Sequence, residues 1–192
     1  MYGLMSAEDQ AYISQFVCEQ GFNRQLSTFA DLDRLASANR RRILDIREIV
    51  VSKELAARIF CPPGETLIRF SMVRLGSRPG EPPIARTTEY VRREWQALVK
   101  EVPKHPDRLM IDIIASVFGK RCTEIRQSVE ASLLSEEAAR QLSADPGTPC
   151  LRILRRYLTE HGELLLTTVS VHPASRYAFS LNVKLDSEDR IS

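Results

Sequence analysis

The sequence is short of almost everything that marks a metal-bound, membrane-spanning or catalytic protein. Its three histidines, His105, His161 and His172, lie far apart, with no second ligand at metal-binding spacing. The four cysteines, Cys18, Cys61, Cys122 and Cys150, form no Cys-x-x-Cys pair. Neither a zinc site nor a disulfide framework is indicated, and reduced, mostly buried thiols are expected. No apolar run reaches the roughly 18 residues of a spanning helix, and no basic–apolar–small leader opens the chain. These absences predict a cytoplasmic protein with no metal, no cofactor and no membrane partner. Charge of one sign is missing too. Against 25 acidic residues stand 27 basic ones, a net charge of +2, too weak a field to recruit nucleic acid or an anionic membrane. The one basic run, Arg40 to Arg42, reads as a solvated helix end beside the C-terminal dipole, or as a phosphate contact. No Ser-His-Asp, Cys-His or paired-carboxylate constellation stands at motif spacing, which argues against an enzyme.

What the chain does have is a repeat. Ser52 opens a short helical stretch that leads to Pro63 and Gly64 and then to an apolar strand through Arg69 to Leu75. Ser135 opens a second, followed by Pro146 and Gly147 and a strand through Arg152 to Leu158. Matching positions are roughly 83 residues apart, a self-similarity that bears on the whole fold. Each copy reads as a Ser-capped helix, a Pro-Gly turn and a β-strand. Two copies are too few for a solenoid, so a single pseudo-twofold α+β domain with a ligand cleft between its halves is expected. A chain of 192 residues suits one such core better than two domains.

The remaining elements fill in around the repeat. Residues 1–23 are an irregular lead-in, and Ser27 or Thr28 caps a helix to about Ala38 whose apolar face holds Phe29, Leu32 and Leu35. Ile43–Val51 and Cys122–Leu133 are strands with interleaved charges. Leu67–Leu75 and Ile84–Val91 form a long-looped antiparallel hairpin. Glu94–Lys100 is a helix carrying Trp95, a core or dimer anchor. Asp107 caps another over Arg108–Phe118, which Gly119 closes. Strands Cys150–Thr159, Leu164–His172 and Phe179–Leu185 complete the chain.

This order, helix, Pro-Gly turn, strand, Gly-rich hairpin and strand, run twice and closed by His172, Pro173, Arg176, Tyr177 and Phe179, resembles the UTRA domain. That is the effector-binding domain of the HutC branch of GntR transcription regulators, which shares the chorismate lyase fold. The resemblance covers about residues 27–185, leaving 1–26 as a lead-in or linker and 186–192 as a polar tail. It implies an α+β, chorismate lyase-like fold: a six-stranded antiparallel sheet with flanking helices and an internal pseudo-twofold repeat. It also implies a homodimer and a small-molecule effector held between the repeats. DNA would be reached only through an N-terminal winged helix-turn-helix, a pattern this sequence does not contain.

The resemblance also marks candidate ligand residues. Relatives that sense sugar phosphates hold the phosphate at a Ser-Phe-Thr helix start, matched here by Thr28, Phe29 and Ala30 with Ser27 before them. Free N–H groups at a helix start suit an anion, although plain capping explains the hydroxyls equally well. Arg74 is what remains of an Arg-x-Arg strand end. A guanidinium among Leu67, Ile68, Phe70 and Val73 requires an anionic partner, either a ligand or a structural acid. Thr87 stands where the family has a Glu three residues before Tyr90. Leu166 replaces the matching Glu of the second repeat, beside Thr168 and Ser170. Without those carboxylates an amino-sugar phosphate is disfavoured, and a less polar or purely anionic effector fits better. Arg126 is a second anion candidate, or else a partner for Glu124 or Glu130. Arg176 and Tyr177 close the pocket floor or pack the terminal strand.

The expectation is therefore the effector-binding and dimerisation domain of a GntR/HutC-type repressor that senses a small anionic metabolite. A chorismate lyase-like enzyme and a ligand-free dimerisation module, its cleft filled by Leu166 and Met72, are the alternatives.

Overall fold

The computed structural model describes residues 23–25, 40–76 and 78–180. Aliphatic and β-branched residues, alternating with polar ones or grouped in short runs, form the strands β2 (Arg41–Val50), β3 (Thr66–Arg74), β4 (Ala85–Arg92), β5 (Glu124–Leu133), β6 (Pro149–Leu158) and β7 (Leu164–Pro173). They pair in the order β2-β3-β4-β7-β6-β5, a single six-stranded sheet in which every pairing is antiparallel. Read from either edge, that order is strand, strand, hairpin partner, so one half of the sheet repeats the other about an axis between β4 and β7. The α+β, pseudo-twofold architecture anticipated above is the one observed. A short strand β1 (Asn23–Gln25), at the end of the stretch expected to be a lead-in or linker, lies parallel to β8 (Ala178–Ser180).

The repeat is visible down to its caps. Helix α1 (Lys53–Ile59) begins where the Ser52 hydroxyl accepts from Leu55 N at 3.2 Å. Helix α4 (Glu136–Leu142) begins where Ser135 accepts from Ala138 N at 3.3 Å. Each satisfies one of the orphan donors of a helix start. Both helices end in a left-handed residue, Phe60 (φ 55°) and Ser143 (φ 50°). Gly64 and Gly147 then turn the chain at φ 87° and 77°, a conformation open to glycine at little cost. Their N–H groups donate back to the carbonyls of Val51 and Leu134, at 2.8 and 2.9 Å.

Side chains alternate across the sheet, so each face has its own cover. On one face Phe70, Met72, Val91, Tyr157 and Leu166 meet Trp95, Leu98, Val102 and helix α3 (Met110–Phe118), forming the largest core cluster. Trp95 stacks on Phe118 with ring centroids 5.4 Å apart, which assigns it to the core. On the other face α1 buries Ala56 and Ile59 against Leu67, and α4 buries Ala138, Ala139 and Leu142 against Cys150.

Several expectations fail locally. The helix expected over Glu94–Lys100 is broken into a 3-10 turn (Arg93–Trp95), the single α-turn α2 (Leu98–Glu101) and a second 3-10 turn (Val102–Lys104). Asp107 caps nothing: Arg108 N bonds to His105 O, closing a turn, and α3 starts only at Met110 after an uncapped Leu109. Arg40–Arg42 is no helix end, because Arg41 opens β2 and is buried. β5 begins at Glu124 rather than Cys122. The helix expected after Ser27, the segment before Asn23 and the terminal strand beyond Ser180 lie outside the described residues. No described helix is long and apolar enough to cross a membrane.

The two caps make a matched pair. Ser52→Ala and Ser135→Ala should each lower unfolding free energy by about 1 kcal/mol and should add in the double variant, as read from urea midpoints at unchanged slope.

Candidate functional site

The helices cover only part of the first face of the sheet. Beyond α3, the end of β3 and the middles of β4, β7 and β6 expose polar side chains to a small cleft that Leu109 and Tyr177 close, and Arg41, at the start of β2, stands beside its Glu89. Strand register dictates which residues meet there. Arg74 pairs with Arg41 on one side and with Ala85 on the other. One row inward, Thr87 lies opposite Ser170, and their hydroxyls are 3.1 Å apart. A further row runs Glu89, Thr168, Arg155 and Gln127 across four strands. Arg155 donates from Nε to Gln127 Oε1 at 2.6 Å, which fixes its guanidinium plane. His172 and Tyr177 meet with ring centroids 4.3 Å apart.

The electrostatics are those of a buried, positively biased site. Arg41 is 5% exposed and Glu89 6%. Arg41 is held by a bond from Nη2 to His105 O at 3.2 Å. Its Nη1 stands 3.9 Å from Glu89 Oε2, close enough for charge attraction and too far for a hydrogen bond. Burial lowers the Arg41 pKa despite Glu89. Burial and then Arg41 bring Arg74 down to about 10, so it stays a cation at neutral pH. Burial raises Glu89, outweighing the attraction of Arg41 and Arg74. His172 is brought down to about 3, first by burial and then by Arg155 and Arg74, and is neutral at physiological pH.

Several polar atoms here find no hydrogen-bond partner among the described residues: Arg41 Nε and Nη1, Glu89 Oε2, His172 Nδ1 and the Tyr177 hydroxyl. The Tyr177 hydroxyl lies near the Arg155 guanidinium without the alignment of a full bond. Such groups cost on the order of 1–3 kcal/mol each when left dry. Glu89, His172 and Tyr177 line the cleft, and Arg41 stands beside Glu89. The cavity is about 50 Å³, far below the roughly 300–1,000 Å³ of a drug-sized site. Its size suits the charged end of a small metabolite.

Of the residues singled out in the sequence, Arg74, Thr87, Thr168, Ser170 and Tyr177 line this cleft. Tyr90 does not: it packs on the opposite face of the sheet with the α1 cluster. Thr87 and Tyr90 are an odd number of residues apart on one strand, so they cannot face the same way. Leu166 shares the cleft's face but lies deeper, in the core under α3. Arg126 is on the exposed edge strand, bonded to Glu124 through Nε at 2.5 Å and Nη2 at 3.2 Å. Ser27, Thr28 and Phe29 fall outside the described residues. The acid that the strands seemed to lack is present after all. It is Glu89, one step of the two-residue period beyond Thr87. Arg155, Tyr157 and His172 were missed as site residues, although period-two counting from Thr168 along β7 reaches His172; Arg41 belongs to the run read either as a helix end or as a phosphate contact.

These features define a class: a pseudo-twofold α+β domain with a cationic, polar cleft on one face of its sheet. The chain belongs to the UTRA domain family, whose model matches residues 37–178. Solved structures agree in fold. The ligand-binding domain of a GntR-family transcriptional regulator from Bordetella bronchiseptica is 19% identical with a TM-score of 0.66, covering 77% of this chain and 90% of that one. The effector domain of PhnF from Mycobacterium smegmatis is 15% identical with a TM-score of 0.68, covering 86% and 96%. The transcriptional regulator YydK from Bacillus subtilis is 13% identical with a TM-score of 0.66, covering 94% and 84%.

The neutral, buried His172 yields a pH prediction. Its folded pKa, about 3, lies below the ordinary 6.5. The unfolded chain therefore takes up a proton that the fold refuses, and stability is lost as pH falls from the ordinary value toward the folded one. Between about pH 7 and about pH 4 the native chain should lose roughly 3 kcal/mol more than His172→Gln, read from urea midpoints at the two pH values.

Proposed function

We propose that the chain is the effector-binding and dimerisation domain of a GntR-type transcription regulator of the HutC branch, a cytoplasmic repressor whose cleft binds a small anionic metabolite. The observation that carries this reading is that Arg74 and Arg155 line one cleft with Glu89, the buried acid among the described residues, while Arg41 stands 3.9 Å from that acid. Guanidinium groups bind carboxylate or phosphate in paired geometry. Glu89 Oε2, without a partner among the described residues, accepts from a hydroxyl or amine placed next to the ligand's anionic end. Thr87, Ser170 and Thr168 add neutral donors and acceptors between the charges. A hydroxy acid, an amino acid or a small phosphate ester has that pattern. A purely anionic or less polar effector, as suggested without Glu89, does not use the acid.

Regulation follows from differential binding. A ligand that prefers one arrangement of the dimer shifts its population and alters the spacing of the DNA-reading heads, which belong to a winged helix-turn-helix preceding this domain. Regulator domains among the structural neighbours support this reading over catalysis. Glu89 beside two arginines does supply the carboxylate that a lyase-like second reading needs. Incubation with chorismate decides that point, since pyruvate release would establish it.

Thermal unfolding against a panel of hydroxy acids, amino acids, phosphate esters and plain carboxylates tests the sensor reading. A ligand at about 100 times its dissociation constant should stabilise the fold by roughly 2.7 kcal/mol, a shift of about 5–10 °C. Arg74→Ala should abolish the shift. Glu89→Gln should reduce it for ligands with a hydroxyl or amine and spare plain anions. Tyr90→Phe, on the other face, should leave it unchanged. No shift with any member of the panel, or a shift indifferent to Arg74→Ala, would sink the proposal.

A further inference from the structure

The two edges of the sheet are not alike. Sheet edges carry unpaired N–H and C=O groups, and proteins blunt them with bulges, prolines, short strands or charges, lysine above all, that find no complement across the edge. β2 is blunted, because its register with β3 shifts between Ile43 and Asp45 and such a bulge twists the strand. β5 is not. It runs ten residues in unbroken register with β6, contains no proline or lysine, and has no neighbour on its outer side among the described residues. Most of its residues are exposed, with Leu133 at 65%.

Its sequence is complementary to itself in reverse. When two copies of β5 lie antiparallel about a twofold axis at Ser128, Arg126 of each stands opposite Glu130 of the other. Both charges point to the same face of the sheet, since they are four residues apart on one strand. Ile125 then meets Ala131, Val129 meets Gln127 and Glu124 meets Ser132. A carboxylate accepts several bonds, so Glu130 can hold Arg126 of the second copy while keeping its own Arg152, now 2.9 Å away. Shifting the register by one residue removes the charge match and sets Arg126 against Val129 or Ala131.

We propose that β5 is the dimer interface of this domain: two copies join edge to edge through β5, with the Arg126–Glu130 pair formed twice and selecting the register. The twelve-stranded sheet so formed is isologous, as a twofold dimer requires. The proposal deepens the reading of the chain as a dimer and rests on it. It also gives Arg126 a role that its distance from the cleft leaves open.

Sedimentation of the 192-residue chain and three charge variants tests it. The native chain should be a dimer. Arg126→Glu sets like charges opposite each other twice and should weaken dimerisation about tenfold or more, as should Glu130→Arg. An equimolar mixture of the two variants places opposite charges at both contacts and should recover the dimer, and so should the double variant. Because Glu130 also holds Arg152, unfolding curves accompany each variant, and the exposed Arg126→Glu is decisive where Glu130→Arg unfolds. A native dimer indifferent to Arg126→Glu, or variants that fail to recover on mixing, would overturn the β5 interface and leave the dimer reading standing. A native chain that is monomeric at every concentration would overturn both.

Discussion

The pairing of β4 with β7 is the contact on which the rest of the structure depends. It joins the two repeats, and only there does a residue face its own repeat-equivalent. Thr87 and Ser170, 83 residues apart, lie opposite each other and share a buried hydrogen bond. A slip of that register by one residue would turn the cleft side chains of one half to the face covered by α1 and α4, and bring that face's side chains into the cleft. The two hairpins, β3–β4 and β6–β7, are local, and their mutual orientation is set at this seam.

The seam also explains the composition of the cleft. Positions that the repeat makes equivalent converge about the axis, and they have diverged in chemistry. Arg74 corresponds to Tyr157 and Glu89 to His172. The first half supplies Arg74 and Glu89 where the second supplies neutral Tyr157 and His172, the latter kept uncharged by burial and by the neighbouring arginines, and the second half adds its own cation in Arg155. A symmetric site would be cheaper to bury. An asymmetric one can orient a ligand with an anionic end and a polar end, which is a functional use of groups that weaken a core.

The same offset made the architecture legible before any coordinates. Ser52 and Ser135, and Gly64 and Gly147, perform identical local tasks, capping a helix and turning the chain, and local tasks are written in short-range sequence. The site was less legible, for a reason of parity. Counting by family position placed Thr87 and Tyr90 together, whereas strand geometry puts them on opposite faces. Glu89 stands two residues from the expected position, and a run of three arginines such as Arg40–Arg42 reads as a solvated helix end as readily as an anion contact. Arg126 carried the right charge on the wrong face, one residue from Gln127, which does reach the Arg155 row.

The sequence alone determined the repeat, the caps, the turns and the alternation of each strand, because each is decided by residues within a few positions of one another. Tertiary structure alone decided which faces α1, α3 and α4 cover, and hence which alternating set remains to line a cleft. It also decided that Arg41 and Glu89, from strands not adjacent in the sheet, come within 3.9 Å. Such a contact depends on the stacking order of strands and on the register at the seam. Those are set by the summed burial of both faces rather than by any short segment.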